Sequence, residues 1–382
     1  MKASLNLDLI KLKDFPEGPK LFTLLEESLD HGFFPGGVLA WGNPREDKFN
    51  QLAFGFKGIT RQREPVKDDT IYDLASLTKL ISTTNLLMLL EEKFPDTSAL
   101  LKDLGFRGKN EFLKLLDLLS HQGGLPAWCP FYQGHEQTRA AKIKTIQTQI
   151  LNIEPLFQAN EKTLYSDLGF LLLGFILEDK LGAPLSELFL EFIAKPLDLK
   201  HTTYNPRIYL PGESLTSVAP TEDGFRVAGP LTMPGLPFRG PVPLGIPHDD
   251  NAEFLEGVAG HAGLFATAFD LRKMLLFWDS AYVGKNTLLK ETTLKHYLTP
   301  QKARDGSVRA LGFDLIPFPN QEENSQDYFC GHVGYTGPTL YWNPKINFAL
   351  IFLTNRVNPT ARNNQMPGFR KNLLSLFLAH LR

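Results

Sequence analysis

Strand-type patterns stand at both ends of this chain and helical patterns fill its middle, which requires the two ends to meet in one sheet. Near the start, residues 37–41 and 51–56 are short apolar runs separated by a polar, Pro-containing segment, the pattern of an antiparallel hairpin. Near the end, residues 310–317, 337–342 and 347–354 carry strand patterns, and Asn343-Pro344-Lys345-Ile346 makes the turn between the last two. Amphipathic helices at 19–31 (Leu21, Leu24, Leu25, Leu29) and at 367–381 (Leu373, Leu374, Phe377, Leu378, Leu381) suit the covering of that sheet. Between the ends lie helical patterns at 77–90, 113–119, 143–150, 168–181, 185–193 and 268–278. Residues 199–251 hold nine prolines, which excludes long regular elements there. The expected architecture is α/β (α+β), an antiparallel sheet flanked by helices. The sheet domain is split over 1–75 and 262–382, and 76–261 is a mainly helical insertion that includes the irregular 199–251 segment.

A chain of 382 residues suffices for two packed units and a cleft between them. Its net charge of -2 and a pI near 6.5 remove the electrostatic case for nucleic acid, leaving small or neutral partners. The first twenty residues scatter Lys2, Lys11, Lys13 and Lys20 among Asp8, Asp14 and Glu17, without the apolar core of a secretory signal. A cytoplasmic protein is therefore expected, or a periplasmic one if a leader has been trimmed. The longest apolar run, 168–177, is far short of a membrane span, which needs about 20 residues. Cys129 and Cys330 form neither a disulfide framework nor a zinc pattern. Free thiols are expected, with Cys330 an apolar strand residue rather than a nucleophile.

The chemistry concentrates in Tyr72-Asp73-Leu74-Ala75-Ser76-Leu77-Thr78-Lys79, which closes a polar loop and opens the apolar 77–90 run. Residues three apart on a helix share a face, so Ser76 and Lys79 stand side by side as hydroxyl and amine. The positive end of the helix favours an alkoxide and an anionic tetrahedral intermediate. This is the only Ser-x-x-Lys in the chain. Two further motifs follow: Tyr165-Ser166-Asp167 just before an apolar helix, and His332-Val333-Gly334.

In that order the three motifs resemble those of the β-lactamase and penicillin-binding-protein superfamily of serine hydrolases. The class C β-lactamase-like branch, with its family VIII esterases and low-molecular-weight penicillin-binding proteins, is the nearest. The likeness spans nearly the whole chain. The segment Leu118-Leu119-Ser120-His121-Gln122-Gly123-Gly124-Leu125-Pro126 and the stretch Gly260-His261-Ala262-Gly263-Leu264-Phe265 resemble further parts of the family. The resemblance implies that Lys79 and Tyr165 share the proton of Ser76 and relay it to the leaving group. It implies an oxyanion site on the backbone N–H groups of Ser76 and Tyr335, with His332, Gly334 and Asp167 lining the substrate site. No cofactor and no metal are expected. His121 and His261 read as packing or loop-pinning residues, and His248-Asp249-Asp250 as a polar loop.

Two departures from the β-lactamase pattern shape the expected chemistry. Asp167 stands where asparagine is usual, and a carboxylate beside Lys79 favours the ammonium, which leaves Tyr165 as the working base. His332 stands where β-lactamases place a lysine, so a fixed positive charge for a substrate carboxylate is expected to be lost. The expected function is hydrolysis of an ester or D-alanyl-type amide through an acyl-Ser76 intermediate. The alternatives are a true β-lactamase using the same residues, and a slowly acylating penicillin-binding sensor or scaffold. The partners are small-molecule ester, peptide or β-lactam substrates.

Overall fold

Six strands form one antiparallel sheet that joins the two ends of the chain, as the patterning requires. In the computed structural model the described residues are 15–380, apart from 47–48, 61–62, 92–95, 211, 223–225, 228–237, 240–241 and 319–327. The amino-terminal contribution is the hairpin of β1 (Gly36–Gly42) and β2 (Asn50–Gly55). Short strands β3 (Tyr72–Asp73), β4 (Thr203–Tyr204), β5 (Arg226–Val227), β6 (Phe238–Arg239) and β7 (Leu264–Ala266) follow. The carboxyl-terminal part holds β8 (Gln301–Lys302), β9 (Val308–Arg309), β10 (Asp314–Pro317), β11 (Tyr328–Val333), β12 (Thr339–Asn343) and β13 (Phe348–Thr354). The large sheet runs β10-β11-β12-β13-β1-β2, and β3-β7-β4 form a smaller sheet beside it.

Both faces of the large sheet are covered, which explains the near-continuous apolar runs of its central strands. Successive residues point to opposite faces, so Val38, Ala40, Ala349, Ile351 and Leu353 enter the main core. Leu39, Trp41, Phe348, Leu350 and Phe352 enter a second core. That second core is closed by the Gly18–Asp30 and Met366–His380 helices, through Leu21, Leu25, Phe369, Leu373 and Phe377. A one-residue slip of β13 against β1, whose register pairs Leu39 with Phe352, would exchange the two sets of side chains.

The middle of the chain is helical, with Arg139–Asn152 and Asp167–Leu181 as its long helices. Residues 168–177 are all buried, so the second of these is a core helix rather than an amphipathic one. The 77–90 run departs from the expected regular α-helix. Lys79–Thr84 is wound as a π-helix and passes into the α-helix Asn85–Leu89. Polar side chains in this otherwise apolar run take up the widened turn. Thr84 Oγ1 donates to the Lys79 carbonyl at 2.8 Å, and Asn85 Nδ2 donates to those of Leu80 and Ile81 at 2.9 and 3.2 Å. Asn85 Oδ1 in turn accepts the indole N–H of Trp278 at 2.8 Å, tying the nucleophile helix to the Ala268–Tyr282 helix. Such π turns concentrate at functional sites because they re-aim the side chains of one turn.

Parts of the irregular segment from 199 to 251, and the first fourteen residues of the polar amino-terminal stretch, lie outside the described residues. None of the described helices is long and apolar enough to cross a membrane.

Candidate active site

Ser76 stands at the junction of β3 and the π-helical turn. Ala75, immediately before it, has φ +45°, a left-handed conformation that costs a non-glycine residue about 1 kcal/mol or more. The buried carboxylate of Asp73 holds that bend, accepting the N–H groups of Ala75 at 2.9 Å and His248 at 2.8 Å. The bend leaves Ser76 partly exposed while Lys79, three residues on, is fully buried.

Lys79 Nζ lies 3.0 Å from Ser76 Oγ, 3.1 Å from the His261 carbonyl oxygen and 2.7 Å from Asp167 Oδ1. Thr83 Oγ1 donates to the Gly260 carbonyl at 2.7 Å and Leu264 N to Thr78 Oγ1 at 3.1 Å, so the 260–264 stretch is strapped along this helix. Gly260 is required there, since an added Cβ would sit 2.1 Å from the Phe170 carbonyl oxygen. His261 pairs through Nε2 with Asp249 Oδ1 at 2.8 Å, and Asp249 also caps the Asp250–Phe254 helix.

Tyr165 reaches the same point from the other side. The segment after the Leu115–Leu119 helix fixes it: Leu164 N donates to the His121 carbonyl, Asp167 N to that of Ala127, and Ser166 N to His121 Nδ1 at 3.0 Å. The His121 ring packs on Tyr165 with centroids 4.6 Å apart. The phenol oxygen is fully enclosed, and Lys79 Nζ lies 4.9 Å from the ring centre. Among the described residues that oxygen makes no well-aligned hydrogen bond, yet Lys79 and Ser76 are near enough to lower its pKa.

The third motif closes the site from the sheet. His332 is buried on β11, 5.9 Å from Tyr165 between ring centres. Gly334 follows where the turn presses on the nucleophile loop: an added Cβ would lie 2.5 Å from the Leu74 carbonyl oxygen. Thr336 Oγ1 donates to the Asp73 carbonyl at 2.7 Å, and Arg370 Nη2 donates to the carbonyls of Gly334 and Gly337 at 2.9 and 3.0 Å. Tyr335, 43% exposed, is the outermost residue of this turn, and Arg356 Nε holds its carbonyl at 2.6 Å. Among the described residues, the amides of Ser76 and Tyr335 donate to no acceptor.

The electrostatics follow from burial and from these neighbours. Burial acts most strongly on Lys79 and lowers its pKa, but the charges of Asp167 and Tyr165 outweigh it and leave the amine above its ordinary value. Burial raises the Tyr165 phenol; Lys79 opposes that, Asp167 adds to it, and the net shift is upward. The resting pair is thus ammonium and phenol. Burial, Arg309 and Lys79 hold His332 well below the usual histidine range, and it is neutral. Its Nδ1–H donates to the Val333 carbonyl at 2.8 Å, leaving Nε2 as a buried acceptor with no partner among the described residues.

The structure brings together Ser76, Lys79, Tyr165, Asp167 and His332 as the motifs imply, and sets Gly334 and Tyr335 against the nucleophile loop. His332 carries no charge here, and the cation that faces Tyr165 besides Lys79 is one the motifs do not mark: the guanidinium of Arg309, on β9, lies 5.4 Å from the centre of the Tyr165 ring. No motif marks Arg309, nor Arg356 and Arg370, which hold the third-motif turn. Among the described residues, the grouping able to surround a cation is Asp167, Asp249 and His261, not the 248–250 run. The Lys79 ammonium already lies against it, bonded to Asp167 and to the His261 carbonyl. Both cysteines are free, and burial pushes the Cys330 thiol up to about 12.

Comparison with known proteins agrees with the three motifs. A protein of Escherichia coli O157:H7 named "Putative D-alanyl-D-alanine carboxypeptidase" is 31% identical over 355 residues, covering 86% of this chain and 77% of its own length. The N-acetylmuramyl-L-alanine amidase of Bacillus subtilis (strain 168) is 30% identical over 386 residues, covering 91% of this chain and 84% of the relative. The class C β-lactamase of Rhodobacter sphaeroides has the same fold, with a TM-score of 0.67 at 19% identity over 94% of this chain and 99% of that one. The family described as Beta-lactamase matches residues 23–374, so the chain belongs to the β-lactamase family and is a hydrolase of it.

Proposed function

We propose that the protein hydrolyses a D-alanyl-type amide or an ester through an acyl-Ser76 intermediate. The observation that carries this reading is the 3.0 Å approach of Lys79 Nζ to Ser76 Oγ, with the Tyr165 ring 4.9 Å from the same nitrogen. A serine hydroxyl is a weak nucleophile until a base takes its proton, and these two groups are the bases within reach. Because Asp167 holds Lys79 as ammonium, Tyr165 acts as base once one proton has left the pair. Ser76 Oγ attacks the acyl carbon as its proton passes to Tyr165. The oxyanion is met by the N–H groups of Ser76 and Tyr335, donors worth about 3 kcal/mol each. The proton then moves to the leaving amine or alcohol, the acyl bond to it breaks, and water releases the acid from Ser76 by the same route.

The names of the Escherichia coli and Bacillus relatives support amide substrates: a D-alanyl-D-alanine terminus first, an N-acetylmuramyl-L-alanine amide second. The neutral His332 disfavours efficient β-lactam hydrolysis. The test sets a D-alanyl-D-alanine-terminated peptide, N-acetylmuramyl-L-alanine, a short-chain nitrophenyl ester and a chromogenic cephalosporin side by side. Turnover of ester and at least one amide, with the cephalosporin poorest, is expected. Ser76→Ala abolishes turnover and Tyr165→Phe lowers it by about 100-fold or more. A Tyr165→Phe enzyme that keeps most of its activity removes the tyrosine from the base role.

A further inference from the structure

Tyr165 is faced by one charged group that the three-motif chemistry leaves unused. Arg309 sits on the short β8–β9 hairpin, and that hairpin is clasped to the segment leading into Tyr165. Arg304 N and Asp305 N donate to the carbonyls of Asn160 and Glu161 at 3.0 Å each, and Thr163 N donates to Ser307 Oγ at 2.9 Å. Beyond Arg309 the chain turns through Gly312, whose N–H bonds the Leu119 carbonyl and whose missing side chain makes room for Thr84 of the π turn. The hairpin is therefore anchored to both elements that present the base. Its guanidinium carbon lies 5.4 Å from the Tyr165 ring centre, one terminal nitrogen pairs with Asp314 Oδ1, and Nε has no partner among the described residues.

We propose that Arg309 is a positioning residue for the base: its guanidinium, oriented by Asp314 and laid over the Tyr165 ring, favours the phenolate that must form before Ser76 is deprotonated. The inference rests on the acyl-Ser76 reading above. A cation near an aromatic face is attracted by the neutral ring, and by a phenolate far more. The charged and titratable groups around Tyr165 are Lys79; Asp167, two residues on, at the start of the following helix; His121 and His332; and Arg309 with Asp314 behind it. Both histidines are held well below their ordinary range by burial first and Arg309 next, so they stay neutral over the working range. Burial brings Arg309 down to about 10 while the Tyr165 charge pulls it back up, the reciprocal of the same coupling.

The test is the pH profile of kcat/KM with a neutral nitrophenyl ester, which offers no carboxylate for an arginine to hold. Arg309→Gln is expected to move the acid limb up by about one pH unit, and Arg309→Lys to restore most of that shift. Asp314→Asn frees the guanidinium from its counter-charge and moves the limb down. Loss of packing in both variants cannot produce opposite displacements, which keeps the test meaningful if Arg309→Gln folds poorly. Limbs that superimpose on the native one overturn the proposal, as does an Arg309→Gln defect seen only with carboxylate-bearing substrates. Labelling of Ser76 by a fluorophosphonate, run alongside, separates the failures. A labelled serine with unmoved limbs sinks this inference alone, and an unlabelled one sinks the acyl-enzyme reading with it.

Discussion

Replacing Asp167 by asparagine, the residue usual at this point of the second motif, is expected to make the enzyme faster at neutral pH. Asp167 Oδ1 is 2.7 Å from Lys79 Nζ, the lysine is fully buried and the carboxylate side chain 15% exposed. Its charge raises both Lys79 and Tyr165, so it delays the loss of the proton that the pair must give up. Coulomb's law at an effective dielectric near 20 gives about 6 kcal/mol for unit charges about 3 Å apart, which is a ceiling. The solvent contact of Asp167 and the nearby Asp249 carboxylate reduce the net effect to about 1–2 pH units. Below both limbs this multiplies the deprotonated fraction by about 10–100, and the weaker base gives back about half of that gain on a logarithmic scale. Asp167→Asn should therefore raise kcat/KM for a neutral nitrophenyl ester about 3–10-fold at pH 7 and move the acid limb down. The assay is a profile from pH 6 to 10 with circular dichroism to confirm the fold. An unmoved or raised limb in a folded variant would refute the assignment of Asp167 as the group that keeps the pair protonated.

Three further outcomes follow from the packing. Asn85→Ala removes the side-chain donor to the carbonyls of Leu80 and Ile81 and leaves the buried Trp278 indole N–H without its acceptor, and should lower stability by about 2–3 kcal/mol in denaturant unfolding. Gly334→Ala places a methyl group 2.5 Å from the Leu74 carbonyl, so the Tyr335 turn must shift. With the fold retained in thermal melts, kcat should fall by about 100-fold, the scale of losing one oxyanion donor. Cys330, buried on β11 with its thiol raised to about 12, should resist iodoacetamide in the native protein and react on unfolding, as followed by mass spectrometry.

The meeting of the chain's two ends was legible because a sheet buried on both faces writes almost uninterrupted apolar strands, as in β1 and β13. The three motifs were legible because each stands at the edge of an element, where local chemistry sets both the residue and the turn. The π turn was not, since its apolar neighbours make the run look regular; the polar Ser82-Thr83-Thr84-Asn85 inside it is the trace that could have marked it. The Glu291–Leu298 helix buries only Thr293, Leu294 and Tyr297, too little contrast for a periodic signal. Arg309 was illegible for another reason. Among Arg304, Asp305 and Ser307 it resembles any polar hairpin, and only tertiary structure lays it over a tyrosine far earlier in the chain.

Peptide mapping of the protein quenched during turnover of a slow ester would test the core of this account most directly. It should find one acyl group on the peptide that contains Ser76, transient in the native enzyme and absent from Ser76→Ala. An acyl group on another residue, or none under conditions where product accumulates, would contradict it.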